Sequence, residues 1–316
     1  MRIFRGLQPV NHHPRALTIG NFDGVHLGHQ AMLRHLRQQA DTLGCKMAVM
    51  VFEPHPREFF TPEAAPARLC NLREKLEQLA QYAVDEVFIA RFNQRLAQQE
   101  PEDFIQHTLR QQLNTRFLLV GDDFCFGARR RGNISTLKQA QHAGVFEVAA
   151  FHSVQAQGER VSSTAVRRAL AAGDCPHAAQ LLGRAYSMSG RVVQGLQLGR
   201  TWGYPTANIH LKHQQPPLQG IFVVTLTDAQ GISHQGVASL GWRPTIRHEE
   251  RPLLEVHLFD FNQNLYGQSV QVHFLHKLRD EAKFADTDAL IAQIKLDAAQ
   301  AQAYFHQQGA SKNSKF

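Results

Sequence analysis

The sequence of 316 residues lacks several features that would assign it to a particular class of protein. Its four cysteines, Cys45, Cys70, Cys125 and Cys175, are widely spaced and form no CxxC pair. This spacing excludes a disulfide framework and a cysteine-based zinc site. Its apolar runs fall far short of the ~20 residues that span a bilayer. The phosphate-binding pattern GxxxxGK[ST] is also missing, which excludes a kinase of the Walker type.

The amino terminus has little apolar character. Arg2 and Arg5 are present, but no apolar h-region follows them, so we expect no signal peptide. Together with the short apolar runs, this predicts a soluble cytoplasmic protein with no membrane partner. The sequence gives no indication of an oligomeric state.

Acidic residues are in the minority, with 27 against 34 basic residues and a net charge of +7. An anionic partner must therefore be considered. The excess is divided between the halves of the chain, and Arg129–Arg131 is its one tight cluster. A dedicated nucleic-acid-binding protein normally concentrates its charge. We therefore expect small phosphorylated ligands rather than a nucleic acid.

The length suggests two domains, and the sequence pattern changes near residue 183. In the first part, apolar runs typical of buried strands alternate with stretches of helical spacing, which predicts a Rossmann-like parallel sheet in an α/β domain over residues 1–183. Ligands of such sheets bind beyond the carboxyl ends of the strands. The predicted strands are Ala16–Ile19, Met47–Phe52, Glu86–Ala90, Phe117–Gly121 and Phe146–Phe151, and the predicted helices are Gln30–Leu43, Leu72–Tyr82, Glu102–Leu113 and Ile134–Ala143.

Residues 184–316 show short alternating runs separated by breaks rich in glycine and proline. This pattern predicts a small antiparallel β-barrel or sandwich. A final helix is predicted over Thr287–His306. The predicted strands are Ser187–Val193, Ile221–Leu226, Gln235–Ser239, Leu253–Phe259 and Ser269–Leu275.

The segment 20–29, GNFDGVHLGH, follows the first predicted strand and opens the first predicted helix. Glycines allow backbone N–H groups to approach a phosphate chain, and the helix N-terminus adds positive potential. His26 and His29 are one helical turn apart, so both rings can face one anion. A glycine turn with two capping or solvated histidines is the alternative. The candidate nucleotide-binding residues here are Gly20, Phe22, Gly24, His26, Gly28 and His29.

This segment resembles the HxGH signature of nucleotidyltransferases and, in its full length, the FMN adenylyltransferase module of bacterial bifunctional riboflavin kinase/FAD synthetases. Three further segments are similar in the same order: 52–56 (FEPHP), 120–127 (VGDDFCFG) and 162–167 (SSTAVR). The resemblance covers most of residues 15–170. It implies nucleotide binding by Ser163, Thr164 and Arg167, and flavin binding by Asp123 and Phe126.

Residue chemistry supports an adenylyl transfer. The phosphate of FMN would attack the α-phosphorus of ATP, and because this nucleophile is already anionic, the site needs positioning and charge neutralisation rather than a base. His26 and His29 can donate hydrogen bonds to the phosphates, and Arg167 can clamp pyrophosphate. Ser163 and Thr164 can cap a helix and donate hydrogen bonds, although an ordinary helix cap is by itself the commoner explanation of Ser162–Thr164. The arginines 129–131 can reach the incoming phosphate or form a solvated loop.

Three residues of the second domain suggest a second phosphate chemistry. Thr206 and Asn208 are two residues apart on an extended segment, so their oxygens face the same way, and such oxygens suit Mg²⁺. Glu255 lies in an alternating run and can act as the base that phosphorylation of a neutral hydroxyl requires. A barrel corner would explain the nearby glycines, and a solvent-facing position would explain Glu255.

The segments 190–208 and 254–258 resemble the riboflavin kinase module of the same family, and 241–245 and 278–284 add to the match. The resemblance extends over residues 184–305. It implies that Thr206 and Asn208 hold the magnesium nucleotide, that Glu255 activates the riboflavin 5′-hydroxyl, and that the loop from Arg279 to Phe284 closes near the flavin. It also implies that Gly190 and Gly195 belong to the nucleotide-binding segment.

The sequence therefore predicts a bifunctional transferase with ATP as co-substrate. The second module would phosphorylate riboflavin to FMN, and the first would convert FMN to FAD with release of pyrophosphate. One alternative is a nucleotide- or flavin-sensing regulator that binds nucleic acid without catalysis. Another is an adenylyl- or cytidylyltransferase for a different cofactor precursor, which would not need a second ATP site.

Overall fold

The computed structural model describes residues 1–7, 13–156, 158–195, 198–244 and 250–313. These residues form two compact units. The first contains residues up to Pro66 together with Lys75–Ser162, and the second contains Ala67–Glu74 and the chain from Ser163 onwards. Residues 163–183, which we expected in the first domain, thus cluster with the second unit. The division of the activities at residue 183 stays a prediction.

The first unit contains the expected parallel sheet. Its six strands have the order β1-β4-β3-β2-β5-β6, and every neighbouring pair is parallel. The chain builds outward from β2 through β3 and β4 and then returns to the other side of β2, so the order reverses between β2 and β5. The strands are β1 Arg2–Arg5, β2 Arg15–Ile19, β3 Lys46–Glu53, β4 Glu86–Arg91, β5 Thr115–Gly121 and β6 Glu147–Phe151.

Apolar side chains fill the centre of this sheet because its middle strands are buried on both faces. Leu17, Met50 and Leu118 are fully buried. Arg15 is also fully buried, and its Nε donates to the Glu86 carboxylate at 2.6 Å. A buried charge pair of this kind satisfies both ionic groups across the sheet.

Helices follow the strands as predicted, with differences at their ends. The predicted helix Glu102–Leu113 is a short α-helix followed by the π-helical turns Phe104–Gln112. Edge strand β1, the helices α2 and α4 and the small hairpin β7–β8 were not predicted. The elements are α1 Leu27–Thr42, α2 Pro56–Phe60, α3 Leu72–Ala80, α4 Gln94–Ala97, α5 Pro101–Asp103 and α6 Ile134–His142, with single turns at Pro62–Ala64 and Ala128–Arg130 and the hairpin strands β7 Gln155–Ala156 and β8 Glu159–Arg160.

The second unit contains the expected closed antiparallel barrel, in the order β10-β13-β12-β11-β14-β9, and the expected C-terminal helix. Helices α7 and α8 precede the barrel and were not predicted as elements. The elements are α7 Ser163–Ala171, α8 Cys175–Leu182, β9 Tyr186–Val193, α9 Leu198–Thr201, β10 Thr206–Leu211, β11 Gly220–Thr227, β12 Ser233–Pro244, β13 Glu250–Leu258, β14 Ser269–Arg279 and α10 Thr287–Asn313.

Alternation along β13 determines which residues reach the barrel core. Leu254, Val256 and Leu258 are buried, whereas Glu255 and His257 are half-buried on the other face. Helix α10 packs against β11, β12 and β14, with Ala298 and Ala301 beside Ile221, Val223 and Val237. Across the described ranges of the chain, no helix is both long enough and apolar enough to cross a bilayer.

Candidate active sites

The reversal of strand order in the first unit coincides with two of the predicted motifs. The segment 20–29 follows β2, and the segment 122–127 follows β5, on either side of the point where the order reverses. Ligands of open α/β sheets bind at such a switch point, beyond the carboxyl ends of the strands. The fold therefore places a candidate ligand site at these two segments.

His26 and His29 face one another at the start of α1. Their ring centroids are 3.7 Å apart and nearly parallel. His26 is the N-cap of α1, and its Nδ1 accepts a hydrogen bond from the backbone N–H of His29 at 3.3 Å. Because Nδ1 accepts, a neutral His26 carries its hydrogen on Nε2. The capping role considered for these histidines is thus present at His26.

The loop before these histidines adopts unusual backbone conformations. Phe22 and Val25 have φ values of 46° and 40°, in a region that residues with a side chain rarely occupy. Both side chains are buried, which holds the strained backbone in place. Such strain concentrates at ligand sites. A Cβ on Gly28 would lie 3.2 Å from the His26 ring, so glycine leaves room for that ring.

His29 is electrostatically distinct. Burial lowers its pKa well below the usual 6.5, and the charges of His26 and Lys75 lower it further. The ring as a whole is half-buried and contacts Phe22, at 4.8 Å between centroids. Its buried Nδ1 has no hydrogen-bond partner among the described residues. A neutral ring with an unsatisfied polar nitrogen beside a strained glycine loop fits a ligand-binding role.

The two predicted flavin-binding residues of the first unit lie in different environments. Asp123 is exposed, and its carboxylate accepts a hydrogen bond from Arg160 at 2.9 Å. Phe126 is 7% exposed and packs in the core against Phe104 and Phe124. Asp123 is therefore accessible to a ligand in this structure. Phe126 is buried, and it packs in the core next to the segment that carries Asp123. Their contact with flavin stays a prediction.

The arginine cluster that follows Phe126 has a defined conformation. Arg129 and Arg130 have φ values of 53° and 58° in the turn Ala128–Arg130. Arg131 forms an ion pair with Glu100 and donates to the carbonyl of Ala128. Arg131 is thus held by a partner, and the contact of this cluster with an incoming phosphate stays a prediction.

Residues 163–167 of the SSTAVR segment form the first turns of α7 in the second unit, whereas Ser162 is the last residue of the first unit. Helix α7 begins at Ser163, with Thr164 exposed and Ser163 half-buried. Arg167 is one turn further on the same face, and its Nε donates to the carbonyl of Ala67 at 2.6 Å. These three residues thus share a helix start, where backbone N–H groups favour anions.

The second unit has a cavity of about 470 Å³ that four of the predicted kinase residues line together: Thr206, Glu255, Arg279 and Phe284. Helix α10 contributes Leu290, Ile294 and Asp297 to the wall. Pockets of this volume accommodate cofactor-sized ligands. A larger cavity of about 820 Å³ in the first unit contains none of the predicted site residues.

Asn208 and Thr206 reach this site from β10, which pairs with the strand of Glu255. In the register of β10 and β13, Asn208 lies opposite Glu255, and Thr206 lies opposite His257. Asn208 is 6% exposed and does not itself line the cavity. The Thr206 hydroxyl and the Glu255 carboxylate thus line the cavity, and the buried Asn208 amide lies next to Glu255 on the paired strand.

The two predicted glycines have different neighbours. A Cβ on Gly195 would lie 2.4 Å from the amide nitrogen of Asn208, so this glycine forms a close wall beside the Asn208 side chain. A Cβ on Gly190 would lie 2.5 Å from the carbonyl oxygen of His210 on the neighbouring strand. Gly190 is therefore required by the close approach of β9 and β10. Gly195, by contrast, leaves the space that the Asn208 side chain occupies.

The donor set fits Mg²⁺ rather than a softer metal. Among the residues that the structure describes, no group of three or more His, Cys, Asp or Glu side chains is arranged to hold a metal ion. Mg²⁺ needs few protein ligands because it keeps several waters and binds the phosphates of its substrate. A threonine hydroxyl and an amide oxygen confined by Gly195 match that requirement.

Arg279 and Phe284 form one cluster at the cavity wall. The Arg279 guanidinium makes three hydrogen bonds to the Asp297 carboxylate, at 2.9, 3.2 and 2.7 Å, and lies 5.7 Å from the centre of the Phe284 ring. Asp297 is 4% exposed. Arg279 thus ties the end of β14 to α10 and supports Phe284, in addition to lining the cavity.

Several lining residues were not predicted as site residues, among them Tyr204, His257 and Glu281. Burial raises the pKa of the Glu281 carboxyl, against the charge of Arg279. The sequence contained a signal for His257, because it is two residues from Glu255 on an alternating strand. Thr245, part of the segment 241–245, lies outside the described residues.

Comparison with known proteins places both units in known families. The family model for FAD synthetase matches residues 8–165, and the model for riboflavin kinase matches residues 182–305. The chain is 48% identical to the bifunctional riboflavin kinase/FMN adenylyltransferase of Haemophilus influenzae over 308 residues, covering 97% of this chain and 100% of that protein. It is 46% identical to the protein of the same description from Pseudomonas fluorescens, with 96% and 97% covered.

A solved structure resembles the chain over almost its full length. It is titled as a macrolide-efflux protein from Streptococcus pneumoniae, and it matches with a TM-score of 0.80 and 29% identity over 94% of this chain and 97% of that chain. The efflux activity in that title is a statement about that protein. The similarity supports the arrangement of a parallel-sheet unit followed by a barrel unit.

Proposed function

This chain belongs to the family of bifunctional riboflavin kinase/FMN adenylyltransferases, and we propose which of its residues carry the two activities. It phosphorylates riboflavin with ATP to give FMN in its C-terminal part, and it transfers the adenylyl group of ATP to FMN in its N-terminal part, giving FAD and pyrophosphate. Riboflavin, FMN, FAD and ATP are its substrates and products. The residue roles below are our proposal.

In the kinase, Glu255 is the general base. The 5′-hydroxyl oxygen of riboflavin attacks the γ-phosphorus of ATP, its proton passes to the Glu255 carboxylate, and the bond from the γ-phosphorus to the bridging oxygen breaks to release ADP. A base is needed because the hydroxyl is neutral and weakly nucleophilic. The cavity that Glu255, Thr206 and Phe284 line is the observation that carries this proposal.

Thr206 and Asn208 hold the magnesium nucleotide. Mg²⁺, when bound, neutralises part of the charge on the transferring phosphoryl group. Gly195 keeps the Asn208 amide in place. Arg279 and Phe284 belong to the flavin side of the cavity, where an aromatic ring can stack on the isoalloxazine.

In the adenylyltransferase, a phosphate oxygen of FMN attacks the α-phosphorus of ATP, and the bond to the bridging oxygen of pyrophosphate breaks. No proton has to be removed, so the protein supplies hydrogen bonds and positioning. His26 donates from Nε2, and the neutral His29 contributes one ring N–H. The loop residues Gly20, Phe22, Gly24 and Gly28 complete the proposed set in this loop.

Ser163, Thr164 and Arg167 bind the phosphates of the nucleotide in this proposal. The guanidinium of Arg167 offers paired donors that match pyrophosphate. Asp123 and Phe126 act on the flavin side. The residue types and their place at the start of α7 support the first three assignments.

The decisive experiment combines the purified chain with riboflavin, ATP and Mg²⁺ and resolves the flavins by chromatography. We expect FMN and then FAD, and we expect chelation of the metal to suppress FMN formation. E255Q should lower FMN formation by about 100-fold or more. If E255Q phosphorylates riboflavin at the wild-type rate, Glu255 is not the base.

The comparisons give no support to a regulator without catalysis. The cytoplasmic location and the absence of nucleic-acid and membrane partners stay predictions. Salt-sensitive binding of RNA by the purified chain would contradict the prediction that it has no nucleic-acid partner.

A further inference from the structure

The side chain of His257 on β13 forms a hydrogen bond with the backbone just before β10. His257 is two residues after Glu255 on β13 and lines the same cavity. Its Nδ1 lies 2.9 Å from the carbonyl oxygen of Pro205. Because a carbonyl oxygen only accepts hydrogen bonds, Nδ1 carries the hydrogen and donates it. This bond joins β13 to the residue immediately before β10.

Thr206 lies directly opposite His257. The paired positions of β10 and β13 run from Thr206 to Ile209. The side-chain bond to Pro205 therefore extends the connection between the two strands one residue beyond the first paired position. It restricts the peptide that joins Pro205 to Thr206, and the orientation of that peptide determines where the Thr206 hydroxyl points.

The loop before Thr206 is closed by short contacts that include His257. The backbone N–H of Tyr204 donates to the carbonyl of Gly199 at 2.7 Å. A Cβ on Gly199 would lie 2.4 Å from the Tyr204 carbonyl oxygen. The Tyr204 ring meets His257 edge to face, at 5.1 Å between centroids. His257 thus contacts this compact loop at both Tyr204 and Pro205 from the strand of Glu255.

We propose that His257 is a positioning residue of the kinase. By fixing the peptide between Pro205 and Thr206, it aims the Thr206 hydroxyl at the magnesium nucleotide, while Glu255 on the same strand faces the hydroxyl of riboflavin. Strand β13 thereby fixes the position of the metal ligand Thr206, through His257, relative to the base Glu255. The inference rests on the assignment of Thr206 made under the proposed function.

Three variants separate the hydrogen bond from the bulk of the ring. H257N keeps an N–H close to the position of Nδ1, H257Q places its amide near the position of Nε2, and H257L has no donor. Removal of a group that orients a metal ligand typically costs ~10–100-fold in metal affinity or activity. We therefore expect H257L and H257Q to be impaired and H257N to be restored close to wild type.

The first measurement is calorimetric binding of ADP with and without Mg²⁺, which does not depend on turnover. H257L and H257Q should bind ADP with Mg²⁺ at least about 10-fold more weakly, and binding of ADP alone should change little. Conversion of supplied FMN to FAD should remain at the wild-type rate in all three variants, which shows that the adenylyltransferase part is intact. An unchanged urea midpoint by tryptophan fluorescence shows that the second unit, which holds Trp202 and Trp242, is folded. Wild-type binding of magnesium ADP by H257L would overturn the proposal.

The second measurement is a double-mutant cycle with T206A. If His257 acts through Thr206, H257L should have little further effect once the hydroxyl is gone, so the two losses should not add. Additive losses would overturn the proposal, since His257 would then act independently of Thr206. If T206A itself leaves magnesium-dependent binding unchanged, the assignment of Thr206 fails, and the positioning role fails with it. If T206A is impaired and H257L is not, only the positioning role fails.

Discussion

Asn208 lies directly opposite Glu255 in the register of two neighbouring antiparallel strands, β10 and β13. Residues paired in this way have Cβ atoms about 4.5–5.5 Å apart and project to the same face. Ser239 on β12 continues the row, because it pairs with Glu255 from the other side. The proposed metal ligand and the proposed base are therefore held by backbone pairing, which is more rigid than a loop.

The two activities should be separable by substitution. H26A combined with H29A should form FMN from riboflavin but no FAD, because the lost donors serve only the adenylyl transfer. N208A should block FMN formation yet convert supplied FMN to FAD. Chromatography of the flavins measures both. If either variant, while folded, loses both steps, the assignment of activities to the two parts of the chain is wrong.

G195A should lower kinase activity with little effect on stability. The new Cβ would lie 2.4 Å from the amide nitrogen of Asn208, and the end of that side chain can move aside without disturbing the barrel. The displaced amide would no longer meet the metal, so we expect kcat/KM for magnesium ATP to fall about 10-fold or more.

G309A on α10 is the matched control for G195A, because a Cβ there meets nothing within 4 Å. It should leave both activities unchanged. Wild-type kinetics for G195A would show that the close contact with Asn208 has no role in nucleotide binding.

His29 should make the first unit less stable as the pH falls. Burial first, and the charges of His26 and Lys75 second, lower the pKa of His29 well below 6.5 in the folded state. Below about pH 6.5 the unfolded chain binds a proton that the folded chain does not, so the free energy of unfolding falls by up to about 1.4 kcal/mol per pH unit. Above that pH the contribution is constant.

H29Q removes the titrating group and should flatten this part of the pH dependence. Hydrogen exchange of peptides from β2 and α1 at pH 7.5 and 5.5 measures it in the relevant unit. An equal loss of protection in wild type and H29Q over this range would contradict the prediction.

D297A should destabilise the second unit. It removes the carboxylate that accepts three hydrogen bonds from Arg279. We expect a loss of about 2 kcal/mol, less than the ~3–5 kcal/mol of a fully buried pair, because water can reach the Arg279 side chain. The KM for riboflavin should rise as well, since Phe284 loses its support.

Tryptophan fluorescence during urea unfolding reports on the second unit, because Trp202 and Trp242 both belong to it. K295A, an exposed position on the same helix, is the control and should change little. An unfolding midpoint for D297A equal to that of K295A would show that the Arg279–Asp297 pair does not stabilise this unit.

Much of the fold could be predicted because buried strands of a parallel sheet are continuous apolar runs. The five strands expected in the first part all occur, within two residues of their predicted starts. Edge strand β1 was missed because its Arg-Ile-Phe-Arg sequence is short and polar at both ends. The π-helical turns Phe104–Gln112 have an apolar spacing too close to that of an α-helix to be distinguished by pattern.

Candidate residues of the barrel site were likewise found from local spacing. Thr206 and Asn208 are two residues apart, and Glu255 lies on an alternating strand, so the sequence indicated which face each occupies. It did not indicate that Asn208 pairs with Glu255, because the two are 47 positions apart in the sequence. The contact of His257 with Pro205 was missed for the same reason.

By itself, the sequence determined the type of most elements, the two modules and the residue types that serve phosphate chemistry. These follow from local backbone geometry, which repeats every two residues in a strand and about every 3.6 in a helix. The tertiary structure alone decided strand register, the membership of residues 163–183 in the second unit, and the burial that lowers the pKa of His29. Those properties depend on which distant segments pack together, and packing energy is summed over contacts that no local pattern specifies.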